Sequence, residues 1–302
     1  MSVTFVQDAI RSGVIAQWYE ENGAIDLYIS TVIPAHVNGG SKKNQSPIQY
    51  TTYNDLHWDF SQQGTIAQLL KTNLRIVLII DTFPIHHLKP LLPLLAKRKA
   101  TTHIWNPNTG RSGLITLGIQ QDYDTVMFLE HGIDIYEPAT YEYLENCLPN
   151  TGVQYIKTGA FPLPKSIPGR TDANEDIVLG GTSPLIDPQM VIIASGILLY
   201  EATIIQNQLI DQGVQTELFI WQKLTTPKIS ESLYYACKAA QRCTLLMDQT
   251  KSEMDVYFKH LLPSEIAEQV AIRLLCPDFK KITTHYEESI QSQTQRVREN
   301  QK

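Results

Sequence analysis

MVIIASGILLYEATIIQNQLIDQGVQTELFIWQKLTTPKISESLYYACKAAQRCTLLMDQ, residues Met190 to Gln249, alternates two kinds of apolar pattern. Met190–Ala194 is a short run of consecutive apolar residues, the mark of a strand buried on both faces. Ser195-Gly196 breaks the run. Leu198–Gln212 then carries apolar residues at helical spacing as far as Gly213, a residue suited to ending a helix. Val214–Trp221 predicts a second strand, Lys223-Leu224-Thr225-Thr226-Pro227 a loop, Ile229–Arg242 a second helix and Cys243–Asp248 a third strand. This order predicts a parallel α/β sheet, in which function-bearing segments leave the C-terminal ends of the strands.

The same alternation runs through the N-terminal half. Ser2–Glu21 has helical spacing, with Val6, Ile10, Val14, Ile15 and Trp18 on one face. Strands are predicted at Ala24–Val32, Leu74–Ile80, Thr101–Trp105, Ile133–Tyr136 and Val153–Thr158. Helices are predicted at Gln62–Lys71, Tyr123–Leu129 and Tyr141–Cys147, with a short or kinked one where Pro90 and Pro93 interrupt Leu88–Lys97. The chain thus divides into an α/β domain over 1–161, a linker over 162–188, a second α/β domain over 189–286 and a polar tail over 287–302. The linker reading rests on Pro162, Pro164, Pro168, Pro184 and Pro188 with Gly180-Gly181 and the acidic run Asp172–Asp176.

Bulk properties narrow the function. A chain of 302 residues with 43% hydrophobic and 19% charged residues has the make-up of a folded protein of about two domains. The net charge of -6 argues against nucleic acid or an anionic membrane as partner. The basic clusters Lys42-Lys43 and Lys97-Arg98-Lys99 are expected on the solvated surface. No apolar run approaches the roughly 20 residues that span a bilayer, and Met1-Ser2-Val3-Thr4-Phe5 lacks the features of a secretory signal. The four cysteines are scattered without a CxxC pair, which suits reduced thiols in the cytoplasm. There is no GxSxG, P-loop or HExxH, and Gly39-Gly40-Ser41-Lys42-Lys43 lacks the spacing of a phosphate loop.

The 190–249 stretch resembles the C-terminal domain of transketolase and of the thiamine-diphosphate E1 components of 2-oxo acid dehydrogenases. The features carrying this are the strand, the Ser195-Gly196 turn, the helix with Tyr200-Glu201-Ala202, the Leu224–Pro227 loop and the strand ending at Asp248. Three stretches of the N-terminal half also resemble the pyruvate dehydrogenase E1 branch. They are Ile80-Asp81-Thr82-Phe83, Thr109–Leu114 with Gly118-Ile119-Gln120-Gln121, and Pro164–Gly169. The Leu224–Pro227 loop is closer to E1 beta subunits.

The resemblance implies a pyrimidine-binding α/β domain followed by a transketolase C-terminal-like α/β domain, each with a parallel sheet. It also implies thiamine diphosphate as cofactor, shared between chains. The Gly-Asp-Gly motif that holds Mg and the diphosphate in this superfamily is missing from these residues. The implied assembly is therefore a homodimer, or an α2β2 complex with a diphosphate-binding subunit that holds the Mg. The implied substrate is a 2-oxo acid or a ketose.

Site residues follow from the same resemblance. Phe83 corresponds to the aromatic that stacks on the pyrimidine ring, although a Phe ending a buried strand is also a common core residue. Asp59 stands where a Glu relays a proton, with Asp55 a second choice; an Asp before a helical run also serves as a helix cap. Gln121 stands where the pyruvate E1 branch has a His. It can order a substrate by hydrogen bonds but cannot titrate near neutral pH. Gln120, His86 and His87 complete the expected substrate wall, the His pair being equally readable as surface. Two functions remain open: a partner-dependent enzyme half, and a catalytically degenerate homologue with an assembly or regulatory role.

Overall fold

The structure, a computed structural model, describes residues 26–30, 49–52, 60–79, 84–106, 125–147, 151–158, 167, 175–180, 187–225, 227–247, 262, 264–268 and 270–274. They form two sheets. The first contains β1 (Leu27–Ser30), β2 (Gln49–Thr52), β3 (Ile76–Ile79), β4 (Thr102–Asn106), β5 (Asp134–Tyr136) and β6 (Val153–Lys157). Their order is β2-β1-β3-β4-β6-β5, and every neighbouring pair is parallel. The second contains β7 (Ile177–Leu179), β8 (Met190–Ser195), β9 (Thr216–Trp221), β10 (Arg242–Met247) and β11 (Val270–Leu274), in the order β11-β10-β8-β9-β7.

The apolar runs sit where strands covered on both sides are expected. β3, β4, β6 and β9 are buried at every position. The helices are α1 (Phe60–Leu70), α2 (Leu92–Leu95), α3 (Tyr141–Cys147), α4 (Leu199–Asp211), α5 (Glu231–Ala239) and α6 (Ser264–Ala267). Pro84–Leu91 winds as a 3-10 helix with Pro90 inside it, and α2 begins only beyond. The two prolines thus act as expected, each lacking an N–H for an α-helical ladder. α5 is shorter than the predicted Ile229–Arg242. The Ser230 hydroxyl caps it by accepting from the Leu233 N–H at 3.3 Å, and Ala240 is already extended.

Two expectations are corrected. The second sheet is mixed rather than parallel: β7 runs antiparallel to β9 and comes from the stretch expected to be only linker. Arg98, expected on the surface, is only 9% exposed. Its guanidinium donates to the carbonyls of Leu70 and Leu74, to Thr72 O at 2.6 Å and to Thr102 Oγ1 at 2.6 Å. It thereby satisfies the last carbonyl of α1 and two carbonyls of the segment that follows it. A lysine has no planar fork for four acceptors. Arg98→Lys is expected to lower stability by about 2–3 kcal/mol, read as a reduced urea midpoint; an unchanged midpoint would mean water replaces the fork.

One apolar cluster spans both sheets, joining Ile76, Leu78, Ile104 and Ile135 to Ile193, Phe219, Trp221 and Leu224. A second cluster lies on the other face of the second sheet and sets Ile192, Ala194, Leu218 and Ile220 against Leu198 and Ala202. The sheets also meet through backbone. β5 is the edge strand of the first sheet, and residues 222–224 cover its open side. Glu137 N donates to Gln222 O at 2.8 Å and Leu224 N to Ile135 O at 2.9 Å. Tyr136 and Lys223 form an antiparallel bridge between these bonds. Ala139 N donates to Gln222 Oε1 at 3.0 Å, and Thr225 Oγ1 to Asp134 Oδ1 at 2.8 Å.

Candidate active site

Because the first sheet is parallel throughout, all its strands end on one rim. From β1 the chain moves one way to β2. It then returns to β3 on the other side of β1 and continues to β4. The reversal between β1 and β3 is a topological switch point, where connections diverge and leave a crevice at the strands' C-terminal ends. The segments leaving β2, β3 and β4 at this rim are residues 53–59, 80–83 and 107–124.

These segments carry nearly every site residue read from the sequence. Asp55 and Asp59 follow β2, Phe83 follows β3, and Gln120 and Gln121 follow β4. All five lie outside the described residues. His86 and His87 lie in the 3-10 helix Pro84–Leu91, and their side chains lie outside the described set. α1 begins at Phe60, directly after Asp59 in the chain, so both readings of Asp59 stand.

Sequence reading missed the polar groups that end the neighbouring strands. Asn106 is the last residue of β4, Lys157 the last of β6, and Glu137 follows β5 directly. Asn106 is paired in register with Lys157, and its Nδ2 donates to Tyr155 Oη at 3.2 Å. Lys157 Nζ pairs with Glu137 Oε1 at 2.5 Å and donates to Thr125 Oγ1 at 3.3 Å. The Lys157 and Glu137 side chains are 2% and 1% exposed, and Glu137 Oε2 has no hydrogen-bond partner among the described residues. Burial of both charges makes this a structural tie along the rim, linking the 125–129 helical turn to β5 and β6. A local signal for these residues existed: each follows directly on two apolar residues at the end of a strand.

In the second domain, Ser195 ends β8 and Glu201 lies in the first turn of α4. Ser195 Oγ and Glu201 Oε2 are buried without hydrogen-bond partners among the described residues. Burial raises the Glu201 carboxyl from an ordinary 4.5 to about 7. A folded-state pKa raised in this way contributes stability that is full below the unfolded value and is lost as pH rises through the folded value. Charging Glu201 therefore costs on the order of 3 kcal/mol above pH 7. Glu201→Gln is expected to unfold at a higher urea midpoint than the parent at about pH 8. The parent's own midpoint is expected to fall between about pH 5 and pH 8, and the variant's to stay level. A parent midpoint that holds steady would show that the carboxylate is solvated.

No protein-family model matches the chain, and no curated protein matches it by sequence. Solved structures do match. A split-gene transketolase chain, from an inactive beta4 tetramer, aligns with a TM-score of 0.57 at 12% identity, over 89% of this chain and 88% of that one. Transketolase from Campylobacter jejuni aligns with a TM-score of 0.58 at 12% identity, over 88% of this chain and 41% of that one. The 2-oxoglutarate:ferredoxin oxidoreductase from Magnetococcus marinus aligns with a TM-score of 0.55 at 8% identity, over 94% of this chain and 64% of that one. The chain thus spans nearly all of the split transketolase chain and about two fifths of the undivided one. At these identities the likeness establishes a shared fold, the two-domain α/β architecture expected from the resemblance.

Proposed function

We propose that the chain is the partner-dependent half of a thiamine-diphosphate enzyme acting on a 2-oxo acid or a ketose. The observation that carries this reading is the fold shared with a split transketolase chain over 88% of that chain's length. The residues present fit half of such a cofactor. In the chain an acid, Asp59, follows β2 and an aromatic, Phe83, follows β3, on either side of the β1–β3 switch point in strand order, while no Gly-Asp-Gly occurs to hold a metal-bound diphosphate. The Mg and diphosphate are accordingly assigned to a partner subunit, in an α2β2 or comparable assembly.

Within this reading, Phe83 would hold the aminopyrimidine by stacking and Asp59 would hold a proton for its ring nitrogen. Gln120 and Gln121 would order the substrate's oxygens by hydrogen bonds, and His86 and His87 would complete the substrate wall. The cofactor, when bound, supplies the carbon nucleophile that the side chains lack. Of the two activities the fold accommodates, the oxidative decarboxylation of an E1 component is preferred on Thr109–Leu114 and Gly118–Gln121.

A second reading, a degenerate homologue with an assembly or regulatory role, is favoured by the missing Gly-Asp-Gly together with two replacements. Asp59 replaces the expected Glu, and Gln121 the expected His. Calorimetry with thiamine diphosphate and Mg separates the two. Binding is expected only when the chain is co-purified with a subunit carrying Gly-Asp-Gly, and Phe83→Ala is expected to weaken it. Asp59→Ala is expected to lower turnover about 10²–10⁴-fold, the scale of a lost proton relay. Full turnover in that variant would remove Asp59 from the mechanism, and no binding by the paired subunits would favour the degenerate reading.

A further inference from the structure

Two cysteines meet in the core of the second domain. Cys237 lies in the last turns of α5, and Cys243 is the second residue of β10. They are 1% and 0% exposed and share one apolar cluster. The Cys243 thiol donates to the Cys237 carbonyl at 3.7 Å. The neighbouring Cys237 thiol favours the Cys243 thiolate over its thiol form and holds the Cys243 pKa below the ordinary thiol range. The same contact, then burial, then the nearby Glu217 carboxylate push the Cys237 thiol up. Gln241, just before β10, and Arg242, its first residue, are exposed, so solvent lies a few residues from both sulfurs.

We propose that Cys237 and Cys243 are an oxidisable dithiol that closes to an intrachain disulfide, tying the end of α5 to the start of β10, with a peroxide as oxidant. The inference is independent of the thiamine-diphosphate reading. Cys243 is the attacking thiolate. Its sulfur bonds to one peroxide oxygen as the O–O bond breaks, hydroxide leaves, and the sulfur becomes a sulfenic acid. Cys237 sulfur then bonds to that sulfur, the S–O bond breaks, and the leaving hydroxide takes up the Cys237 proton as water. Two thiols and one peroxide become one disulfide and two waters. The pairing is local, joining residues six apart in sequence, and needs no partner chain.

The test uses the full chain, treated with hydrogen peroxide, alkylated and digested with trypsin. Cleavage after Lys238 and Arg242 separates the two cysteines, so their disulfide appears as Ile229–Lys238 linked to Cys243–Lys251. That linked peptide is expected in the oxidised sample, lost on reduction with dithiothreitol, and absent from Cys237→Ser and Cys243→Ser. Cys237→Ala and Cys243→Ala serve where a serine in the apolar core prevents folding. The proposal is overturned if both thiols remain alkylated after treatment, if each is oxidised separately to the sulfinic acid, or if either bridges instead to Cys147 or Cys276.

Discussion

Gly196→Ala is expected to break the contact between the two domains and to be among the most destabilising single changes in the chain. A Cβ at this position would lie 1.7 Å from the Glu137 carbonyl oxygen and 2.8 Å from Ala139 N. Both obstacles are backbone, so no rotamer change relieves them, and the strand end at β5 would have to separate from the β8 turn. Overpacking by one methyl group ordinarily costs about 1–3 kcal/mol. A clash with fixed backbone belongs in the exceptional class, above about 4 kcal/mol. Gly64→Ala is the informative control. That glycine is exposed within α1, and nothing lies within 4 Å of the place its new methyl group would take, so the change is expected to stabilise by about 0.5–1 kcal/mol. Urea titrations of both variants should move in opposite directions. A Gly196→Ala midpoint close to the parent's would mean that the domain contact yields without cost.

Lys157→Ala carries the second large effect. It leaves the Glu137 carboxylate buried without its cation, and one Glu137 oxygen already lacks a partner among the described residues. Breaking a buried pair from one side costs about 3–5 kcal/mol, whereas replacing both members with apolar residues of similar size is often neutral. The double variant Glu137→Leu with Lys157→Met is therefore expected to recover most of the stability lost in either single variant. The coupling between the sites, read from a double-mutant cycle of unfolding free energies, should be on the order of 2–3 kcal/mol. Independent, additive effects would show that water reaches the pair.

The elements most legible in the sequence were those whose signal is local. β8, α4, β9, α5 and β10 each follow from an apolar run or a helical spacing, and each lies within a few residues of its predicted span. β7 was illegible because its three residues, Ile177–Leu179, sit among Pro, Gly and Asp, and only pairing with β9 makes them a strand. Arg98 was misread for a related reason: a charged cluster looks solvated unless the open carbonyls at and just beyond a distant helix end are known to face it. At the candidate site, the sequence pointed to the segments leaving one rim of the first sheet. It marked Lys157 and Glu137 only as polar residues at strand ends and not as a pair, since they are twenty positions apart and meet only across neighbouring strands.

The cover that residues 222–224 place over β5 bears on how the chain comes apart. Neither half holds a finished surface at this seam: one contributes an open strand edge, the other the peptide that closes it. Severing the chain between the halves would release two interdependent pieces, each with unsatisfied backbone groups, in place of two free-standing modules. Melting is accordingly a property of the pair, and the rim of the first sheet keeps its shape only as long as its neighbour stays folded.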